Sequence, residues 1–212
     1  MDKRFMIILA AVIVIFGVIF WTTKSKTDTV GKNGSTSAAS QHIEGNKASG
    51  VTFVEYGDYQ CPYCGQYYPL VKQVEQQYAD KISYQFRNFP LVQLHPNAMA
   101  AARAAEAASL QGKFWQMHDL LYQNQNTWAS ASSPSSFFDQ YAQQIGLNLS
   151  TFHSDQNSAQ VLATINADQA AGQAQQVDAT PTFFINGKKI DNPPTDVAGF
   201  AKLIDAAIAT KK

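Results

Sequence analysis

Apolar positions fall into three regimes along this chain: one unbroken run, short alternating stretches, and longer segments with helical spacing. The unbroken run covers residues 5–21, Phe5 to Trp21, and carries no charge. At about 1.5 Å rise per residue it reaches roughly 25 Å, the short end of what spans a bilayer. Residues 22–41 then hold scarcely an apolar side chain among Thr, Ser, Lys, Gly and Asn. Such a segment buries too little surface to offset its ordering. It reads as a flexible linker with a typical reach on the order of 25 Å.

Folded patterning begins near His42. Val51–Tyr56 reads as a strand, and a helix opens at Cys61, kinks at Pro69 and ends near Tyr78. Ile82–Asn88 sets Ile82, Tyr84 and Phe86 on one side, as a second strand does. This βαβ order predicts a parallel pair. From Pro96 to about Ala174 the spacing is helical. An alanine-rich helix runs to Gly112, and the next has Trp115, Met117, His118, Leu121 and Tyr122 on its apolar face. A third opens at Pro134 and stops at Gly146, and Ser150 and Ser158 are expected caps. Thr182–Ile185, then Asn186-Gly187, then Lys188–Ile190 signal a hairpin with a type I′ turn. A final helix after Pro194 is expected to bury Val197, Phe200, Leu203, Ile204 and Ile208. The order βαβ, helices, ββα predicts an α/β chain: a thioredoxin-type core with an all-helical insertion at about residues 95–176.

The 212 residues suffice for one well-buried domain plus extras. Sixteen basic residues balance sixteen acidic ones, which argues against a nucleic-acid surface. The expected organisation is a cytoplasmic tail at 1–4, a transmembrane anchor at 5–21, the linker at 22–41 and one domain at 42–212. No small-x-small cleavage site follows Trp21, so an uncleaved anchor fits better than a signal peptide. Lys24, Lys26 and Lys32 after the run offset Lys3 and Arg4 before it. The leader-like layout and the short tail still place the remainder outside the cytoplasm, single-pass on the cell membrane.

Cys61 and Cys64 are the only cysteines. A C-x-x-C pair between a strand and a helix is the mark of a redox-active dithiol. Residues i and i+3 share one face of a helical turn, so the two sulfurs can close a reversible disulfide. The helix N-terminus offers Cys61 unpaired N–H groups and a favourable dipole, which lower a thiol pKa. Pro62 suits the first helical position, having no N–H to leave unpaired. A zinc site would need two more ligands from His42, His95, His118 and His153, and none has the required spacing. A purely structural disulfide gains little from so small a loop.

Gly45-Asn46, the segment Val51–Cys64, Phe89-Pro90-Leu91, His95-Pro96, Gln111–Trp115 and Ala179–Gly187 occur in order. Together they resemble the DsbA-like thiol:disulfide oxidoreductases, in particular their membrane-anchored bacterial members, over about residues 42–208. The resemblance implies that Cys61 is the exposed nucleophile and Cys64 its buried resolving partner. Pro181 would be a cis-proline facing them, and the Thr180 backbone would pair with an extended substrate peptide. Glu55 would be the buried acid that moves the Cys64 proton. Pro62-Tyr63 stands where many strongly oxidising members carry a histidine, implying a less oxidising poise. Tyr63 is expected to lie exposed beside Cys61.

The resemblance further implies an enzyme that introduces disulfides into cysteine-containing secreted or surface polypeptides. A quinone-linked membrane partner would reoxidise it, residues 5–21 would meet the bilayer, and nucleic acid would play no part. No cofactor or metal is expected, because the Cys61–Cys64 pair itself holds the electrons. The same dithiol could instead serve a reductase or isomerase, or ride incidentally on a tethered peptide-binding or chaperone module.

Overall fold

A computed structural model describes residues 39–210. The apolar run 5–21 and most of the linker lie outside the described residues. Ser40 is already buried, its N–H donating to Asp168 Oδ1 at 2.8 Å, so packed chain begins two residues ahead of the expected boundary.

Five strands form one mixed sheet: β1 (His42–Gly45), β2 (Thr52–Gly57), β3 (Ser83–Asn88), β4 (Thr182–Ile185) and β5 (Lys188–Lys189), in spatial order β1-β3-β2-β4-β5. The parallel pair is present, β2 against β3 with Phe53 opposite Tyr84. β1 pairs antiparallel to β3 and was not predicted by the periodicity: four residues at a sheet edge are too few to show alternation. β2 is central and covered on both faces, so Phe53 and Glu55 on one side and Tyr56 on the other are all buried. With both faces covered, Glu55 is kept from solvent despite its charge-bearing side chain.

α1 (Pro62–Tyr78) follows β2 and continues through Pro69 on its exposed side. The insertion comprises α2 (Ala98–Leu110), α3 (Phe114–Gln123), α4 (Gln125–Trp128), α5 (Ser135–Gln144), α6 (Leu149–Gln156) and α7 (Ala159–Ala174). Alanines make α2 thin: Ala101, Ala104, Ala105, Ala107 and Ala108 are fully buried, and α3, α6 and α7 close around it. Ser158 caps α7 by accepting from Val161 N–H. The cap of α6 is Asn148, whose Oδ1 accepts from Thr151 N–H at 2.9 Å, so Ser150 lies inside the first turn instead.

The insertion is bolted to the sheet by buried polar groups. Glu106 of α2 meets His42 Nε2 at 2.7 Å and accepts from Asn88 Nδ2 at 2.6 Å, while His42 stacks on Phe114. Asp168 of α7 accepts from Asn88 N–H and pairs with Arg87.

The hairpin turns at Asn186 and Gly187, both at positive φ (49° and 76°), as a type I′ turn requires. Asn186 also ties the hairpin to β2 by accepting from Thr52 N–H at 2.8 Å. α8 (Val197–Ala209) buries Phe200 and Ile204, with Val197 and Ile208 half-buried. Leu203, expected inside, is 37 % exposed: it sits one residue, about 100° of arc, away from the stripe 197-200-204-208.

Candidate active site

The strand-to-helix loop Asp58–Cys61 is fixed by its own polar side chains and by Gln125 from the insertion. Asp58 is buried. Its Oδ1 accepts from Gln60 N–H at 2.8 Å, and its Oδ2 accepts from Leu91 N–H at 2.9 Å and meets His95 Nδ1 at 2.7 Å. Gln60 reaches across to the insertion, donating to Ala129 O and accepting from Asn97 N–H. Gln125 of α4 donates to both Tyr59 O (2.7 Å) and Cys61 O (2.9 Å). Gly65 belongs to the same arrangement, because a Cβ there would land on the Gln125 amide.

This loop delivers Cys61 as the N-cap of α1, in extended backbone, with Pro62 at the first helical position. The Thr180–Pro181 peptide is cis and leads into β4. The Cys61 thiol donates to Thr180 O at 3.3 Å, which places the turn directly over the sulfur. One expectation is corrected here. Cys61 is only 4 % exposed, covered by that turn, while Pro62 is exposed beside it and Tyr63 is 65 % exposed.

The two sulfurs occupy opposite electrostatic environments. Cys61 is pulled down to about 5, chiefly by a hydrogen bond from the Cys64 thiol; burial opposes this, and the Cys64 amide, the Thr180 hydroxyl and the Tyr63 amide add to it. The buried Thr180 Oγ1 has no other partner among the described residues, so an ionised Cys61 gives it one. Cys64 is fully buried, with Asp58 N–H directed at its sulfur (3.5 Å). Its thiol is pushed well up by burial, then by the bond it donates to Cys61 and by the charges of Cys61 and Glu55.

Glu55, on β2, is 2 % exposed and accepts a 2.8 Å hydrogen bond from Tyr84 OH. Burial drives its carboxyl up to about 8; the Tyr84 bond opposes, and the charges of Glu75 and Cys61 add to the rise. At neutral pH it therefore carries a proton within electrostatic reach of Cys64. Tyr59, Phe86 and Tyr122 form an aromatic floor around His118, whose Nδ1 lies 3.1 Å from Tyr59 OH and which burial holds neutral.

Cys61, Pro62, Tyr63, Cys64, Glu55, Thr180 and Pro181 thus gather at one end of β2. The histidines do not join the cysteines: His42 meets Glu106, His95 Asp58, His118 Tyr59 and His153 Asp139. Sequence reasoning overlooked Asp58, Gln60, Asn97 and Gln125. Asp58 had a usable signal, an Asp two residues before an N–H in a Gly-led turn. Gln125 had none, because a glutamine in a four-residue helix carries no pattern.

A family model described as Thioredoxin matches residues 37–206. Na(+)/H(+) antiporter NhaA 3 of Salinispora tropica is 36 % identical over 171 residues, 81 % of this chain but 25 % of the antiporter. The chain therefore spans about a quarter of the length of the curated relatives it matches. Among solved structures, a thioredoxin-like oxidoreductase from Silicibacter pomeroyi DSS-3 superposes with a TM-score of 0.66 at 26 % identity, covering 80 % of this chain and 92 % of that one. The thiol-disulfide exchange protein α-DsbA2 from Wolbachia pipientis gives 0.67 at 23 % identity, covering 78 % and 86 %, a likeness of fold. With the family match over most of its length and the cysteine pair set against a cis-proline, the chain belongs to the thioredoxin family and has a DsbA-like fold.

Proposed function

We propose that this chain oxidises the thiols of secreted or surface polypeptides, working outside the cytoplasm from a membrane tether at residues 5–21. The observation that carries the direction is the contrast between the sulfurs: Cys61 is ionised above about pH 5 and Cys64 is held protonated. A stable Cys61 thiolate stabilises the reduced enzyme and leaves readily, so the disulfide is handed on to partners. The expectation of a mild poise rested on the missing histidine; here neutral donors from Cys64 and Thr180 take the place of a positive charge.

In the proposed cycle a substrate thiolate attacks Cys61 Sγ of the Cys61–Cys64 disulfide. The S–S bond breaks, and Cys64 leaves as a thiolate that takes the Glu55 proton. A second substrate thiolate then attacks the substrate sulfur of the mixed disulfide, and Cys61 leaves. Two electrons pass to the dithiol, and the substrate gains a disulfide. The Thr180 backbone, beside Cys61, pairs with the substrate's extended segment, and exposed Tyr63 flanks it. A quinone-linked membrane partner returns the dithiol to the disulfide.

The reduction potential against glutathione tests the direction. A Cys61 thiol titrating about two units below pH 7 stabilises the reduced form by about 2.7 kcal/mol, or about 60 mV for a two-electron couple. The expected potential is therefore well above that of thioredoxin; a value near about −270 mV assigns the dithiol to reduction instead. A Cys61→Ser, Cys64→Ser double variant that still supported client folding in full would make the chain a peptide-binding module.

A further inference from the structure

Each half-cycle moves a proton on or off Cys64, and Glu55, its proposed exchange partner, is itself sealed. Cys64 is 0 % exposed, and Glu55 and Tyr84 are 2 % each. Among the described residues, the one side-chain hydrogen bond to the Glu55 carboxyl comes from Tyr84 OH. Tyr84 also lines a cavity of about 310 Å³ with Glu44, Lys72 and Glu75, and none of its lining residues belongs to the cysteine loop or the Thr180–Pro181 turn. That volume holds several waters. Glu75, 8 % exposed, grips Lys72 Nζ with Oε2 at 2.8 Å, while its Oε1 is buried with no partner among the described residues. A buried carboxylate oxygen left unpaired is costly.

We propose that Glu75 passes protons between this cavity and Glu55 through the Tyr84 hydroxyl, giving Cys64 a proton path separate from the substrate cleft. The proposal rests on the oxidoreductase reading above and deepens it. Inward, a proton moves from the Glu75 carboxyl, directly or through cavity water, to the Tyr84 oxygen as the Tyr84 proton moves to Glu55 and the Glu55 proton to the Cys64 thiolate; outward, the same shifts reverse. No electrons move. The Tyr84 step is concerted, because burial holds its hydroxyl far from ionisation at neutral pH.

The surroundings suit the role. Glu75 faces Lys72 on its own helix, Glu44 on β1, Asp119 on α3, Tyr84 on β3 and Glu55 on β2. Burial lifts the Glu75 carboxyl to about 7, with Lys72 pulling it down and Glu44 and Asp119 adding to the rise, so both protonation states are populated at neutral pH. Lys72 is itself shared with Glu44 (3.7 Å) and Asp119 (3.6 Å), which keeps it anchored if Glu75 loses its charge.

The test uses the full chain charged at Cys61 with a peptide mixed disulfide. Stopped-flow measurement follows peptide release as Cys64 attacks, from pH 5 to 9 in dilute buffer. Glu75→Gln is expected to slow release about tenfold at pH 7 and to remove the rise of the profile near pH 7. Glu75→Asp restores most of the rate, and the alkylation midpoint of Cys61 stays in place. Tyr84→Phe slows release at least as much, and it decides by the same readout if Glu75→Gln does not fold. Release from either variant at the wild-type rate and with the wild-type profile overturns the relay. A wild-type chain that never resolves the mixed disulfide overturns the parent oxidoreductase reading instead.

Discussion

Replacing Cys64 with alanine removes the donor that contributes most to keeping Cys61 ionised. A hydrogen bond to a charged group is worth about 1.5–3 kcal/mol. At about 1.4 kcal/mol per pKa unit, its loss raises the Cys61 midpoint by about one to two units, from about 5 to roughly 6–7. At pH 5.5 the wild-type sulfur is about three-quarters ionised and the variant about one-tenth. Alkylation there should therefore slow about eightfold, while the two rates converge above about pH 8.5. The assay is reaction with excess iodoacetamide, followed by intact mass from pH 4 to 9. Superimposable profiles would refute the reasoning and return the ionisation to the backbone amides of the first turn of α1, as the sequence alone suggested. A wild-type midpoint near 9 would remove the basis of the oxidase reading altogether.

Glu55→Gln keeps an acceptor for Tyr84 and removes a carboxyl that binds its proton more tightly in the folded chain, at about 8, than in the unfolded one, at about 4.3. Between those values the native state holds the extra proton, so wild-type stability falls as pH rises through the window. The variant should gain up to about 5 kcal/mol over wild type at pH 8, the worth of about 3.7 pKa units, and nothing at pH 4 in urea unfolding; an equal pH dependence would count against the buried acid. Gly65→Ala should lower the melting temperature despite alanine's better helix propensity, because the clash with Gln125 costs about 1–3 kcal/mol against a gain of about 1. His118→Phe leaves the buried Tyr59 hydroxyl without its partner and should cost about 1–3 kcal/mol by denaturant midpoint; an unchanged midpoint would show that hydroxyl finding another acceptor.

Features that depend on local chemistry were legible in the sequence. The Asn186-Gly187 turn demands two left-handed residues, and Cys61-Pro62 at a strand end marks a helix start whatever surrounds it. Features set by distant partners were not. β1 exists because β3 offers it an edge, Cys61 is covered because the Thr180–Pro181 turn lies over it, and Leu203 is exposed because β4 and α1 contact only one stripe of α8. Asn148 displaced Ser150 as a cap through a shift of two residues, the usual uncertainty at a helix boundary. The neutral donors that ionise Cys61 were equally invisible, since the sequence offered only the helix terminus as a cause.

Gln125 of α4 and the flanking Asn97 and Ala129 all belong to the insertion, and all three hold the segment that ends in the nucleophile. The surroundings of the Cys61 sulfur are thus adjustable at a distance. A substitution in α4 that tilts one amide re-aims the Cys61 carbonyl and alters the sulfur's surroundings, with the Cys-Pro-Tyr-Cys tetrapeptide untouched. Two homologues sharing that tetrapeptide letter for letter can therefore sit at different voltages, tuned by one glutamine in the insertion, Gln125.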